Sequence, residues 1–188
     1  MFDGKEVTIQ DMMNCRDRRS YYQIQFIQKY NCPVLSFTLN IPGPIKTDTR
    51  LLALFNDAKE NIINVLKENN IQICDSVIFN DHTGYELMLC FKGDASFVKE
   101  KTMYIEENAP LGRLFDIDII DTDGEKISRP VFRKCLICGC QAQDCARSRK
   151  HSIKEMQDKT ITNPLSNNKT LHFAQMQNYI QFYEIMSV

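Results

Sequence analysis

The sequence lacks most of the features that would assign a chain to a membrane, an export route or a general polyanion surface. No apolar run approaches the ~20 residues needed to cross a bilayer. The opening Met1-Phe2-Asp3-Gly4-Lys5-Glu6 has none of the apolar character of a signal peptide. A soluble, cytoplasmic protein that binds no membrane is expected. The formal net charge is −1, which denies the chain the uniform positive field of a nucleic-acid binder. Neither an internal repeat nor a low-complexity linker breaks the sequence, so residues 1–188 are expected to form a single domain. Histidine is scarce. His82 falls in a predicted turn and His172 near a helix start, both ordinary surface positions, and nothing is placed to orient His151 in a Cys-His dyad.

Hydrophobic residues make up 43% and charged residues 25%, an ordinary globular balance with enough apolar matter for a sizeable core. Thr8 can cap a helix to about Tyr30, with Ile9, Met12, Met13, Ile24 and Ile27 as inward positions and Arg16, Arg18 and Arg19 as a positive face. Val34 to Ile41 reads as a strand ended by the stiff Pro42-Gly43-Pro44 turn. Thr47 or Asp48 opens a helix in which Leu51, Phe55, Ala58, Ile62 and Val65 recur at spacings of three and four. Ile71 to Phe79 and Tyr85 to Phe91 flank Asn80-Asp81-His82-Thr83-Gly84, a hairpin pattern. A helix from Asp94 to about Asn108, with Phe97, Val98, Met103 and Ile105 available for packing, precedes a strand over Leu114 to Asp121. Asp123-Gly124 turns that strand towards a partner near Lys126. The expected fold is α+β, a mixed or antiparallel sheet with flanking helices. Residues 134–188 form a cysteine-rich, basic and largely helical C-terminal part, with a helix over Leu171 to Met186.

Charge is segregated. Asp116, Asp118, Asp121, Asp123 and Glu125 crowd one stretch, whereas Arg129, Arg133, Lys134, Arg147, Arg149, Lys150 and Lys154 face a lone Asp144 in the next. Alternation on a strand puts Asp116 and Asp118 on one face, about 7 Å apart, with Phe115, Ile117 and Ile119 on the other. Two such carboxylates repel unless a cation lies between them. Mg²⁺ suits the pair, because it takes oxygen ligands and fills its remaining positions with water and substrate phosphates. Metals so held support nucleotidyl transfer by bridging the phosphates of a triphosphate. Glu86, on the strand from Tyr85, is a candidate third carboxylate for Mg²⁺.

Eight cysteines in a reducing compartment are thiols or metal ligands rather than disulfides. Cys135-x2-Cys138-x6-Cys145-x5-His151 has the ligand types of a structural Cys3His zinc site, with Cys140 as a substitute. The competing reading is a group of reduced thiols packed as small hydrophobes, which also accounts for Cys15, Cys32, Cys74 and Cys90.

Several segments together resemble the apo-citrate lyase phosphoribosyl-dephospho-CoA transferases, also called citrate lyase holo-acyl-carrier-protein synthases. They are Arg16-Asp17-x-Arg19, Ser36-Phe37-Thr38, Pro42-Gly43-Pro44-x-Lys46 and Pro110-Leu111-Gly112-Arg113-Leu114-Phe115-Asp116-Ile117-Asp118. Ser128-Arg129, Arg133-Lys134-Cys135-Leu136-Ile137-Cys138, Cys145-Ala146-Arg147 and His151 complete the series. Two departures stand out: the stretch from Arg129 to Arg133 is short for the family, and Cys140 is not part of its pattern.

The resemblance implies a nucleotidyltransferase-like fold and a donor, 2′-(5″-triphosphoribosyl)-3′-dephospho-CoA. It implies attack by a serine of the citrate lyase acyl-carrier subunit on the phosphate nearest the ribose, with release of pyrophosphate. On this chain, Asp116 and Asp118 would hold Mg²⁺ as the catalytic pair, and Arg113 would contact phosphate, followed by Lys46, Arg16 and Arg19. Arg129, Arg147 and Arg149 would meet the donor or the carrier. One competing acceptor is the malonate decarboxylase carrier subunit. A reading from another class is a zinc-stabilised nucleic-acid-binding module using Arg129–Lys154. The basic residues there lack interleaved aromatics for base stacking, so no nucleic-acid partner is expected.

Overall fold

A computed structural model describes residues 4–109 and 111–159. Four strands, β1 (Val34–Leu39), β2 (Gln72–Asp81), β3 (Gly84–Lys92) and β4 (Phe115–Ile120), form one sheet in the order β2-β3-β1-β4. Every neighbouring pair is antiparallel. The helices are α1 (Ile9–Tyr30), α2 (Thr49–Glu68), α3 (Ala95–Asn108), α4 (Ala142–Arg147) and α5 (Ile153–Gln157). The α+β architecture is as expected, and of the two sheet types it is the antiparallel one. No helix among the described residues is long and apolar enough to cross a membrane.

Strand alternation divides the sheet into two faces. Leu35, Phe37, Leu87, Leu89, Phe91, Phe115, Ile117 and Ile119 meet Leu51, Phe55, Ala58 and Ile62 of α2 and Val98 and Ile105 of α3 in the main core. Phe37 stacks on Phe55 at a centroid distance of 5.2 Å and meets Phe115 edge-on at 5.6 Å. The opposite face lies under α1. There Val34, Met88, Cys90 and Ile120 pack with Phe26 in a smaller apolar cluster, at one end only.

The inward face of α1 differs from the expected one. Ile9, Met13 and Ile24 are 83%, 51% and 53% exposed, Met12 and Ile27 are half-buried, and Cys15 and Phe26 are the buried positions. The helix begins as the Thr8 capping box requires, Thr8 and Asp11 exchanging side-chain-to-backbone bonds. It then turns Cys15 and Arg19 onto Glu86, because the sheet beneath its first half is charged. Hydrophobicity alone picks the wrong stripe of this helix. In α3, Phe97 is likewise more exposed than expected, at 37%.

The partner strand expected near Lys126 reduces to one bridge, Ile120 to Lys126. Side chains take its place along the outer edge of β4. Lys99 Nζ donates to Ile117 O at 2.7 Å, Glu106 Oε1 accepts from Ile117 N at 2.8 Å, and Arg133 donates to Phe115 O at 3.0 Å. A strand edge capped this way offers no free ladder to another chain. Gly112 is required just before β4, since a Cβ there would lie 2.7 Å from Glu106 O. The helix expected at Leu171–Met186 lies outside the described residues, as does most of the 134–188 part. Within reach are two short helices, α4 and α5.

Candidate active site

Register fixes the site. Thr38 pairs with Glu86 on one side and Asp116 on the other, and Ser36 pairs with Asp118. All five side chains therefore face α1. Glu86 and Asp116 sit two strand spacings apart, roughly 10 Å between backbones.

The carboxylates have unequal surroundings. Glu86 is only 3% exposed, and Oε1 receives Arg19 at 2.6 Å and the Cys15 thiol at 2.8 Å, while Arg18 lies 3.6 Å from Oε2. Burial alone would pull Arg19 down, but Glu86 overrides it and holds the guanidinium above its ordinary pKa. Asp118 pairs with Lys126. Asp116 makes no hydrogen bond or ion pair among the described residues. Burial, and then the charge of Asp118, push its pKa up, with Lys126, Arg133 and Arg19 opposing from nearby.

A half-buried carboxylate without a partner among the described residues, beside a second one, is a donor set of oxygens alone, which fits a hard divalent cation such as Mg²⁺. Glu86 is not gathered with the pair. Oε1 is taken by Arg19 and the Cys15 thiol, and Oε2, without a hydrogen bond, faces Arg18, so Glu86 holds cations of the protein in place. Nε of Arg18 and Nε of Arg19 are buried without a hydrogen-bond partner, leaving N–H groups for which no described residue supplies an acceptor.

The other basic residues divide into anchored and free. Arg113 donates to Lys134 O. Arg129 is clamped by Glu106 and Glu107, and Arg133 lies 3.0 Å from Glu106. Burial lowers the pKa of Arg113 and Arg133, though guanidinium groups stay charged at neutral pH. Lys46 Nζ donates back to Ile41 O at 2.6 Å, and burial lowers its pKa as well. Arg16 and Arg147 are exposed and make no hydrogen bond or ion pair among the described residues.

Sequence reading passed over Glu106 and Lys99, which are 2% and 4% exposed. Their seven-residue spacing on α3 puts both on one face, alongside Val98, Thr102 and Ile105. That pattern was the available signal, a charged residue at each end of an apolar stripe. Burial pulls Lys99 down to about 8, against the opposing pull of Asp118 and Asp116.

Further along, Cys135, Cys138, Cys145 and His151 converge, each offering one ligand atom within 4.8 Å of all the others. The Cys140 backbone, with His151 and Cys145, draws Cys138 down to about 5, while burial pushes Cys145 up to about 12. Cys140 lies outside the group.

Comparison with known proteins agrees with this chain over most of its length. The family model described as apo-citrate lyase phosphoribosyl-dephospho-CoA transferase matches residues 7–166. A Streptococcus pyogenes serotype M3 protein named for that activity is 35% identical over 164 residues, 83% of this chain and 84% of the relative. The Citrobacter koseri apo-citrate lyase phosphoribosyl-dephospho-CoA transferase is 30% identical over 154 residues, 80% of this chain and 84% of its own. The Escherichia coli O7:K1 protein of the same name is 31% identical over the same coverage.

Proposed function

This chain belongs to the apo-citrate lyase phosphoribosyl-dephospho-CoA transferase family, and we propose that it performs that transfer by a nucleotidyltransferase-type reaction in the cytoplasm. The donor is 2′-(5″-triphosphoribosyl)-3′-dephospho-CoA, and the acceptor is a serine of the citrate lyase acyl-carrier subunit. The serine oxygen bonds to the phosphorus nearest the ribose as its proton passes to solvent, the bond from that phosphorus to the bridging oxygen breaks, and pyrophosphate leaves.

The observation that carries this reading is the face shared by Asp116, Asp118 and the Glu86-anchored arginines of α1. Asp116 and Asp118 are the residues that would hold Mg²⁺. Bound there, the ion would neutralise charge that builds on the phosphate oxygens. Arg19 and Arg18, oriented by Glu86, keep positive charge on this face, which suits a polyphosphate. Glu106 positions Arg133 and, with Lys99, holds β4 in place, so the aspartates keep their spacing. Arg113 and Lys46 each give one donor atom to a backbone carbonyl and keep further N–H groups for phosphate. Exposed Arg16 and Arg147 are free to meet the carrier.

The test is mass spectrometry of apo-citrate lyase carrier incubated with donor, Mg²⁺ and this protein, with the malonate decarboxylase carrier in parallel. A mass increase equal to the prosthetic group on the citrate lyase carrier is expected. Modification of the malonate carrier alone would reassign the acceptor, and no modification of either would remove the reading.

A further inference from the structure

We propose that Cys135, Cys138, Cys145 and His151 bind one zinc ion in a closed structural site that orders the segment whose Arg133 contacts the strand carrying Asp116 and Asp118. The metal site stands on its own geometry. Only its consequence for transfer rests on the function proposed above.

The distances are those of ligands around one centre. Cys138 Sγ lies 3.4 Å from Cys145 Sγ and 3.3 Å from His151 Nε2. Tetrahedral zinc, with Zn–S about 2.3 Å and Zn–N about 2.0–2.1 Å, sets neighbouring ligand atoms about 3.5–3.8 Å apart. Three sulfurs and an imidazole suit zinc better than a hard cation. The protein supplies all four positions, which marks a structural site rather than one with an open position for substrate.

The backbone is built to present these ligands. Cys135 N donates to Cys140 O at 2.6 Å and Gly139 N to Cys135 O at 3.0 Å, folding the chain back between the first two cysteines. Gly139 has φ +72°, a left-handed turn that favours glycine. Ile137 N points at Cys135 Sγ from 3.5 Å, a donor aimed at sulfur. Cys145 then comes from α4, and Arg149, at φ +49°, reverses the chain so that His151 returns to the cluster. Lys150 Nζ lies 3.9 Å from the sulfur of Cys140, which is not one of the four ligands.

The segment has little else to hold it. Among described residues 128–159 only Cys145 is buried, and α4 and α5 have six and five residues, far too few to be stable alone. Yet the segment makes specific contacts at both ends of the candidate active site. Arg133, two residues before Cys135, bonds Phe115 O through both terminal nitrogens, and Lys134 O accepts from Arg113. Gln157 donates to Pro42 O at 2.9 Å in the turn after β1. A metal staple between these anchors explains how a coreless stretch keeps them.

Elemental analysis of the full chain, purified without chelator, is expected to give one zinc per chain. Cobalt exchanged into the site should show thiolate-to-cobalt charge transfer and tetrahedral ligand-field absorption. Cys145→Ser should lose the metal. His151→Cys, which keeps a four-ligand set, should retain it, as should Cys140→Ser. Strong chelator should speed protease cleavage between residues 128 and 159 and leave the sheet resistant.

Metal-free wild type whose cleavage is indifferent to added zinc would overturn the site, as would a Cys138–Cys145 disulfide in its place. Loss of metal from Cys140→Ser would overturn the ligand set. If zinc binds and no carrier is modified, the site survives and the transferase reading falls.

Discussion

On the face turned to α2 and α3, β1, β3 and β4 present Leu35, Phe37, Leu87, Leu89, Phe115, Ile117 and Ile119, all essentially inaccessible. On the face turned to α1 the same strands present Ser36, Thr38, Glu86, Asp116 and Asp118 at one end and an apolar cluster only at the other. Alternation makes this possible: neighbouring residues on one strand are committed to opposite tasks, so Phe37 anchors the core while Thr38 sits between two carboxylates. The core face is closed by shape and supplies stability. The α1 face keeps polar groups imperfectly satisfied, the condition in which a site can still gain from binding something.

The comparison can be broken most forcefully from the core side. Phe37→Ala should destabilise the protein by about 3–5 kcal/mol in chemical denaturation, as removal of a buried ring does. Thr38→Val, one residue along, should cost far less. Equal losses would mean that the two faces carry the fold alike.

Lys99 tests the boundary between them. Its folded pKa of about 8 lies below the ordinary 10.5, so the folded chain binds fewer protons than the unfolded chain between these values. Stability should therefore rise with pH from about 8 to 10.5, by roughly 3 kcal/mol if the titration is complete. Lys99→Met should lack that rise. Parallel stability curves for variant and wild type would show that the buried ammonium costs the fold nothing.

Asp116→Asn should reduce transfer on the order of 100-fold, measured by carrier modification. Its metal-free stability should be no lower than wild type. The raised folded pKa means that wild-type stability falls as pH climbs from the ordinary carboxylate value through the raised one, and the amide removes that fall. A variant that transfers normally would make this face merely polar. The smallest effect belongs to the helix covering that face: Thr8→Ala removes half of the α1 capping box and should cost about 1 kcal/mol.

The legible parts of this fold were those written in local pattern. The α2 periodicity, the β2–β3 hairpin and the Asp48 and Asp94 caps all depend on residues close in sequence. So does the shared side of Asp116 and Asp118, a consequence of strand alternation alone. Harder to read was α1, whose exposed Ile9, Met13 and Ile24 mimic a buried stripe. So was the edge of β4, where an expected partner strand gives way to Lys99, Glu106 and Arg133. In both cases the answer depends on what lies opposite, which no window of sequence contains.

The sequence by itself determined the first three helices, the four strands, the family and the shared face of Asp116 and Asp118, because caps, periodicities and motifs are properties of neighbouring residues. Only the tertiary structure decided that Glu86 serves the arginines of α1 and that Asp116 has no partner among the described residues. It also drew Cys145 and His151 round to Cys135 and Cys138. The reason is physical: a charge's role is set by the charges and solvent around it, and those come from segments that only folding brings together.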